Sequence, residues 1–455
     1  MQQREKFSSR LGFILISAGC AIGLGNVYRF PIITGAYGGA IFVLIYIGFL
    51  LLLGLPIMTV ELAVGRGSKR SIASSFDVLE KKGQKWHLMK YLGIGGNYLL
   101  MMCYTVITGW MLIYFVKYLT GSIMSAHTAE ELGEVFGALV SSPVKVIAGA
   151  YAAILLGLFV CSLGLEKGVE RITKVMMIAL FVLMIGLAVY ACTLPGAGRG
   201  LRFYLVPNAE NIAHAGLGKV INAAMGQAFF TLSLGIGSIA IFGSYIDKDR
   251  RLLGESVTII SLDTFVALMS GLIIFPAYYT YNESMIQGEG GAGFLFTTFS
   301  SIFNNMEGGR ILGTLFFLFM SFAAMSTVIA VFENIMSFWL ELTHLKRPVI
   351  AAINIGLMLV LVLPAVFSLN LIGDFTIFGK TIMDLEDYIV SNLLLPIGSL
   401  FYVLFCTSKF GWGWKNYIDE VNMGDHGAKM PAWIRPYMTF VLPIIIVVVL
   451  LLSVF

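Results

Sequence analysis

Charge is scarce in this chain. Asp, Glu, Lys and Arg make up 12% of its 455 residues, about half of what a soluble domain needs to cover its surface. With 58% hydrophobic residues and a mean hydropathy of +0.86, an ordinary soluble domain is excluded. Cysteine is also sparse. Cys20, Cys103, Cys161, Cys192 and Cys406 are scattered without any C-x-x-C pair, which indicates neither a disulfide framework nor a thiolate metal centre. The five histidines are dispersed, none four residues from another, and there is no H-E-x-x-H and no nucleophile elbow. Nothing here supports an enzyme. The formal charge of +4 is small and follows from loop composition, so it implies no nucleic-acid partner.

What is present is apolar length. A membrane span takes about 20 mostly apolar residues. Eleven such stretches can be read, at about 11–35, 39–64, 88–120, 144–162, 169–192, 218–245, 253–280, 310–342, 348–369, 381–407 and 433–455. A secretory signal peptide is the alternative for the first, since Arg4, Lys6 and Arg10 precede it. The run is too long for one, and no cleavage-like stretch separates it from Arg29. The expected class is an all-α polytopic membrane protein forming one transmembrane domain over 1–455.

Lysine and arginine set the orientation. Arg4, Lys6 and Arg10 lie before the first span, and Arg66, Lys69, Arg70, Lys81, Lys82, Lys85 and Lys90 follow the second. Later loops on that side are also basic, while the opposite side holds only Lys145, Arg199, Arg202, Arg310 and Lys380. The N-terminus is expected in the cytoplasm. An odd number of spans leaves the C-terminus outside.

Two spans carry unfavourable material at mid-membrane. The first contains Gly23-Leu24-Gly25-Asn26 in "GCAIGLGNVYRFP"; the sixth contains Gly235-Ile236-Gly237-Ser238 in "AFFTLSLGIGS". Helix-packing contacts of the small-xxx-small kind explain a lone glycine pair. Gly19, Gly23, Gly25 and Asn26 together, matched in the sixth span, favour a local unwinding that glycine permits. Bared peptide groups in lipid cost several kcal/mol each, so an unwound stretch survives only where it lines a cavity or binds something. Gly-interrupted segments at matching places in two halves point to a transporter's binding site. The expected arrangement is two five-span units of opposite orientation, about 8–192 and 215–407, with an added helix at about 433–455.

The same residues carry a family resemblance. "RLGFILISAGCAIGLGNVYRFP" resembles the first span, and "GQAFFTLSLGIG" the sixth span, of the neurotransmitter:sodium symporters, especially their bacterial amino-acid transporters. The resemblance runs through essentially the whole chain. It implies a sodium-coupled symporter with two Na+ ions, working by alternating access in a bacterial plasma membrane, with no oligomer required. Sodium site one would take the Ala21 carbonyl, Asn26, Thr231 and Asp263. Sodium site two would take the carbonyls of Gly19, Ile22 and Ala323 with the hydroxyls of Ser326 and Thr327. These are oxygen donors suited to a hard cation, although single Ser and Thr hydroxyls commonly bond back to their own helix.

The resemblance also implies a substrate class. Monoamine carriers of this family have an Asp where Gly23 stands, so the substrate here is expected to bring its own carboxylate. The carboxylate would meet the Leu24 and Gly25 amides, the Tyr104 hydroxyl and sodium. The amine would meet carbonyls near Ala21, Phe230 and Thr231, with the Ser233 hydroxyl a further option. Leu100, Tyr104, Phe230, Ile236, Thr327 and Val331 would wall the side-chain pocket, with Cys20 at its edge. These walls are apolar and uncharged, which suits a neutral hydrophobic or aromatic amino acid. Many relatives have Asn where Asp263 stands, and others bind chloride nearby or carry a Glu where this chain has Ala267. Asp263 would then replace chloride, and transport would be chloride-independent; a protonated structural Asp is the alternative.

Arg29 with Asp387 is expected to gate the outside, and Arg4 with Glu341, beside Tyr245, the inside. Static interfacial anchors are the alternative for both pairs. The glycine-framed stretch 288–310 is expected to form a re-entrant lid. Relatives commonly have a proline where Ile178 stands, so the inward path here needs another hinge. A carrier of another carboxylate-bearing zwitterion, an ion channel and a transporter-like receptor remain as further readings.

Overall fold

The apolar runs fold as helices. The structure, a computed structural model, describes residues 7, 9–208, 216–281, 293, 295–343 and 345–454. Among the described residues there are two isolated bridges and no strand. The first run is two helices, α1 (Arg10–Ala21) and α2 (Phe30–Ala36), joined through a widened turn at Gly25–Arg29 and bent by 53°. The second is α3 (Ala40–Phe49) and α4 (Leu55–Ser68), continuous through a widened turn at Leu50–Gly54. Next come α5 (Met89–Thr120), α6 (Ala129–Val140), α7 (Pro143–Ser162) and α8 (Arg171–Cys192). The run expected at 218–245 is α9 (Leu217–Thr231) and α10 (Ala240–Tyr245). The chain continues with α11 (Leu252–Tyr281), α12 (Gly309–Thr343), α13 (Arg347–Leu361), α14 (Ile382–Tyr388), α15 (Leu395–Thr407) and α16 (Leu442–Val454).

Among the described residues nine helices are long and apolar enough to cross a membrane, and the bent α1–α2 pair makes ten. Eleven were expected. The difference is the sixth run, whose pieces of 15 and 6 residues are each too short to cross alone. Burial sorts the spans. In α12, 83% of the apolar window is buried, against 33% for the span containing α8 and 28% for Ala432–Ser453. α12 is therefore an inner wall, packed on α1, α5, α7 and α8, while the last span keeps most of its surface for lipid.

α6 lies between the third and fourth runs, where no span was expected. Its start is a capping box, in which Thr128 Oγ1 accepts from the Glu131 amide and Glu131 reaches back to the Thr128 amide. Phe136 on α6 stacks on Phe296 at 4.9 Å, and Trp110 of α5 meets the same ring edge-on at 6.0 Å. Within the lid stretch, Leu295–Phe299 and Ser300–Asn304 are helical and pack on α6 and α12. Its first part, 288–292 and 294, lies outside the described residues. α8 runs unbroken through Ile178, which is 48% exposed; a widened turn at Leu165–Glu170 precedes it, entered through Gly164 at φ 99°.

Candidate cation and substrate site

α1 ends because Ile22 turns extended, at φ −72° and ψ 96°. The carbonyls of the last turn are thereby released from the helical ladder. α12 lies opposite and presents two hydroxyls to them. Thr327 Oγ1 is 3.2 Å from the Gly19 carbonyl and 3.4 Å from that of Ile22, and Ser326 Oγ is 3.3 Å from the Ile22 carbonyl. Ser326 Oγ also donates to the Ala323 carbonyl at 2.9 Å. Gly19, Ile22, Ala323, Ser326 and Thr327 thus form one buried oxygen cluster.

A second cluster lies on the other side of the break. Asn26 Nδ2 donates to Asp263 Oδ1 at 2.8 Å and to the Asp263 carbonyl at 3.0 Å, and Asn26 Oδ1 accepts from the Gly23 amide at 3.2 Å. Thr231 Oγ1, at the end of α9, is 3.3 and 3.4 Å from the two Asp263 carboxylate oxygens. Asp263 is fully buried. Among the described residues no Lys, Arg or His side chain pairs with its carboxylate, whose partners are neutral. A buried carboxylate is either protonated or compensated by a cation. Oxygen donors around an uncompensated carboxylate fit a hard monovalent ion. Ala21 is buried at the end of α1.

Between the clusters the chain packs closely around two glycines. A Cβ at Gly23 would stand 2.5 Å from both Thr327 Oγ1 and Tyr104 Oη, so a side chain there would have to displace them. A Cβ at Gly25 would press on the Phe230 ring at 3.1 Å. The Leu24 amide donates to Tyr104 Oη at 2.9 Å. Leu100, Tyr104, Ile236, Thr327 and Val331 are all buried, as is Cys20. The sixth run unwinds through three left-handed residues: Ser233 at φ 49°, Gly235 at 100° and Gly237 at 80°. Glycine accepts that conformation without strain; Ser233 does not, and it is held there by the packed surroundings.

Several residues of the site were not anticipated. Glu61 of α4 accepts from the Gly235 amide, so a carboxylate caps the second break. A lone acid in an apolar span was the available signal. Gln227 Nε2 donates to the Gly25 carbonyl at 2.7 Å, and Ser270 Oγ to the Asn26 carbonyl at 2.8 Å. These two fix the first break against α9 and α11; only their polarity in apolar runs marked them.

The gate residues stand as follows. The Arg29 guanidinium lies over the Phe230 ring at 4.4 Å. No Arg29–Asp387 contact falls within ion-pair distance; Asp387 Oδ1 instead accepts from Ser391 Oγ at 3.1 Å. A cavity of about 540 Å³ lies beside Arg29, lined by α2, α9, Asn392 and Ser453. At the opposite end Phe7 packs on Phe13 at 5.9 Å, Phe242 at 6.4 Å and Tyr245 at 5.4 Å. Tyr245 Oη donates to Glu333 Oε1 at 3.0 Å, and Glu333 pairs with Arg347 at 2.7 Å. Glu341 accepts from the Ser71 amide and Ser74 Oγ, each at 2.6 Å. Arg4, the expected partner of Glu341, lies outside the described residues.

Two interrupted runs thus bring two buried oxygen clusters to the same region of the fold. The model of the sodium:neurotransmitter symporter family matches residues 4–134 and 140–455. The chain is 32% identical to an uncharacterised sodium-dependent transporter of Bacillus subtilis, YhdH, over 99% of this chain and 98% of that one. It is 25% identical to the rat sodium-dependent neutral amino acid transporter B(0)AT2 over 60% of this chain and 40% of that one. It superposes on the crystal structure of MhsT in complex with L-phenylalanine with a TM-score of 0.87 and 34% identity, covering 100% of both chains. The chain belongs to the sodium:neurotransmitter symporter family and is a multi-pass membrane transporter.

Proposed function

We propose that this protein is a symporter that uses two Na+ ions to carry a neutral hydrophobic or aromatic α-amino acid into a bacterial cell. The observation that carries the reading is the uncompensated Asp263 carboxylate beside Asn26 and Thr231, facing a cleft that Gly23 leaves without a side chain. Sodium at Asp263 supplies the missing positive charge and a ligand for the substrate carboxylate. The Tyr104 hydroxyl, which accepts from the Leu24 amide, donates its proton to the other carboxylate oxygen. Position 23 carries no acid, so with Na+ on Asp263 no free counter-ion remains for a bare amine. The second Na+ belongs among Gly19, Ile22, Ala323, Ser326 and Thr327. It ties α1 to α12 by neutralising carbonyls and hydroxyls that otherwise face one another.

Alternating access follows from this linkage. Substrate and sodium join the two breaks, so occupancy sets how α1, α2, α9 and α10 stand against the α5–α12 wall. Counting α9 with α10 as one interrupted span gives eleven spans, arranged as two inverted five-span units and one added helix. The N-terminus is cytoplasmic and the C-terminus outside. Phe7, Phe242 and Tyr245 close the inner end in this conformation, while the cavity at Arg29 opens outward. MhsT, crystallised with L-phenylalanine, supports the hydrophobic substrate class. A carrier of another small zwitterion is the second reading, because apolar walls separate related side chains by only about 1–3 kcal/mol. The test is uptake of each of the twenty amino acids by proteoliposomes under an inward sodium gradient. Concentrative uptake of hydrophobic members, lost when sodium is equalised, is expected; conductance without saturable uptake would overturn the reading in favour of a channel.

A further inference from the structure

Asn97 on α5 plays no part in the site described above, yet all its hydrogen-bonding capacity is used. It is fully buried two turns before Tyr104. Its Nδ2 donates to the Gly93 carbonyl at 2.7 Å and to the Ile236 carbonyl at 2.9 Å. Its Oδ1 accepts from Ser238 Oγ at 3.2 Å and from Asn334 Nδ2 at 3.1 Å. An asparagine amide offers two donors and two acceptor positions, and here each has a partner. Ile236 and Ser238 belong to the unwound stretch between α9 and α10. Asn334 lies on α12, seven residues beyond Thr327. The break therefore meets both wall helices through one side chain. Its fit is close: a Cβ at Gly96 would come 2.8 Å from Ile236 Cγ2, and one at Gly93 would come 3.2 Å from the Ile236 carbonyl.

We propose that Asn97, with Ser238 and Asn334, is an inner latch. It fixes the Ile236 floor of the substrate cleft to α5 and α12 while the inner end is shut, and it must part for substrate to leave inward. The proposal rests on the transporter reading, and it makes Asn97 a positioning residue that touches neither ion nor substrate. The logic is one of exchange. Every partner of Asn97 is uncharged, so separation leaves dipoles that entering water can satisfy, which is cheap once the path is wet. In the dry closed state the same groups have no substitute. A charged tie in this place would cost far more to separate. The Ile236 carbonyl is the joint: it is freed from the helix by the break, and Asn97 Nδ2 is the donor it receives in exchange.

The test compares Ser238→Ala and Asn97→Ala in full-length protein carrying Cys192→Ser, since Cys192 is the exposed cysteine among five. Two reporters are read with a membrane-impermeant maleimide. Ser17→Cys, buried on α1, reports inner opening. Ile33→Cys, on the cavity beside Arg29, reports outer opening. Losing one buried hydrogen bond shifts a two-state equilibrium roughly tenfold. In Ser238→Ala the inner reporter should label roughly tenfold faster and the outer one more slowly, with a larger shift in Asn97→Ala. Opposite movement of the two rates is something partial unfolding cannot produce, because unfolding speeds both. Unchanged rates in Ser238→Ala, or a rise at both reporters, would overturn the latch. Labelling requires no substrate. If the parent failed to take up any amino acid, the transport reading would fall, while the two rates would still decide the latch.

Discussion

Replacing Asp263 by Asn probes the electrostatics on which the proposed site depends. The carboxylate is fully buried, and its closest hydrogen-bond partners among the described residues are Asn26 and Thr231. Two unit charges about 4 Å apart in an effective dielectric of about 20 attract by about 4 kcal/mol. The amide keeps an oxygen for the ion and avoids the desolvation of a charge, which offsets about half of that. A net loss of about 2 kcal/mol remains, or roughly a thirtyfold rise in the sodium concentration for half-maximal uptake. The substitution also leaves the loaded cleft one unit more positive. A diffusible anion is then the available compensation. The assay is tracer uptake in proteoliposomes against a sodium titration, once in chloride and once with gluconate replacing it. The parent should behave alike in both salts, whereas Asp263→Asn should take up substrate better in chloride. A parent that requires chloride, or an Asp263→Asn protein whose sodium dependence moves less than threefold, would refute the reasoning.

Three further substitutions test neighbouring elements. Gly23→Ala places a Cβ 2.5 Å from Thr327 Oγ1 and Tyr104 Oη, so sodium-dependent substrate binding should fall by roughly a hundredfold or more, as read by equilibrium binding of tracer. Wild-type affinity in that protein would mean the cleft is not at Gly23. Tyr104→Phe removes the acceptor of the Leu24 amide and should raise the KM for uptake roughly tenfold, with maximal velocity less affected; an unchanged KM argues against a carboxylate at this position. Glu61→Ala strips the acceptor from the Gly235 amide and should cost about 2 kcal/mol of stability, seen as a lower melting temperature in detergent. No change there would mean that another group satisfies the second break.

The long elements were legible because a bilayer leaves few options. Apolar runs must close their own backbone hydrogen bonds, so each read as a helix and its ends fell near glycine, proline or charge. α5, α7, α11 and α12 begin and end within a few residues of the expected limits. What escaped notice was short or amphipathic. α6 covers the lid stretch through Phe136 and Phe296, and a pairing of that kind depends on which loops meet, which periodicity in one segment does not encode. The oxygen donors of the site were legible through resemblance, since Asn26, Asp263, Ser326 and Thr327 are side chains at fixed places in recognisable motifs. Their supports were not. Gln227, Ser270 and Asn97 act on carbonyls 202, 244 and 139 residues away, distances that only the folded chain closes.

The matched glycine motifs of the two breaks conceal a difference in what each break leaves bare. At the first break the released groups are mainly carbonyls, and the α12 hydroxyls of Ser326 and Thr327 face them. A hydroxyl can turn its proton away and present lone pairs, so this set can change from mutual hydrogen bonding to cation ligation without moving a helix. At the second break an amide is already taken by the Glu61 carboxylate and a carbonyl by the Asn97 amide. Those partners stand on α4 and α5 and satisfy the stretch in this closed conformation. In the proposed cycle the first break is the one whose energy changes with ions, and the second is held by protein groups until the latch parts. Equivalent motifs at equivalent depths thus divide the work, because the neighbouring helices supply hydroxyls to one and a carboxylate and an amide to the other.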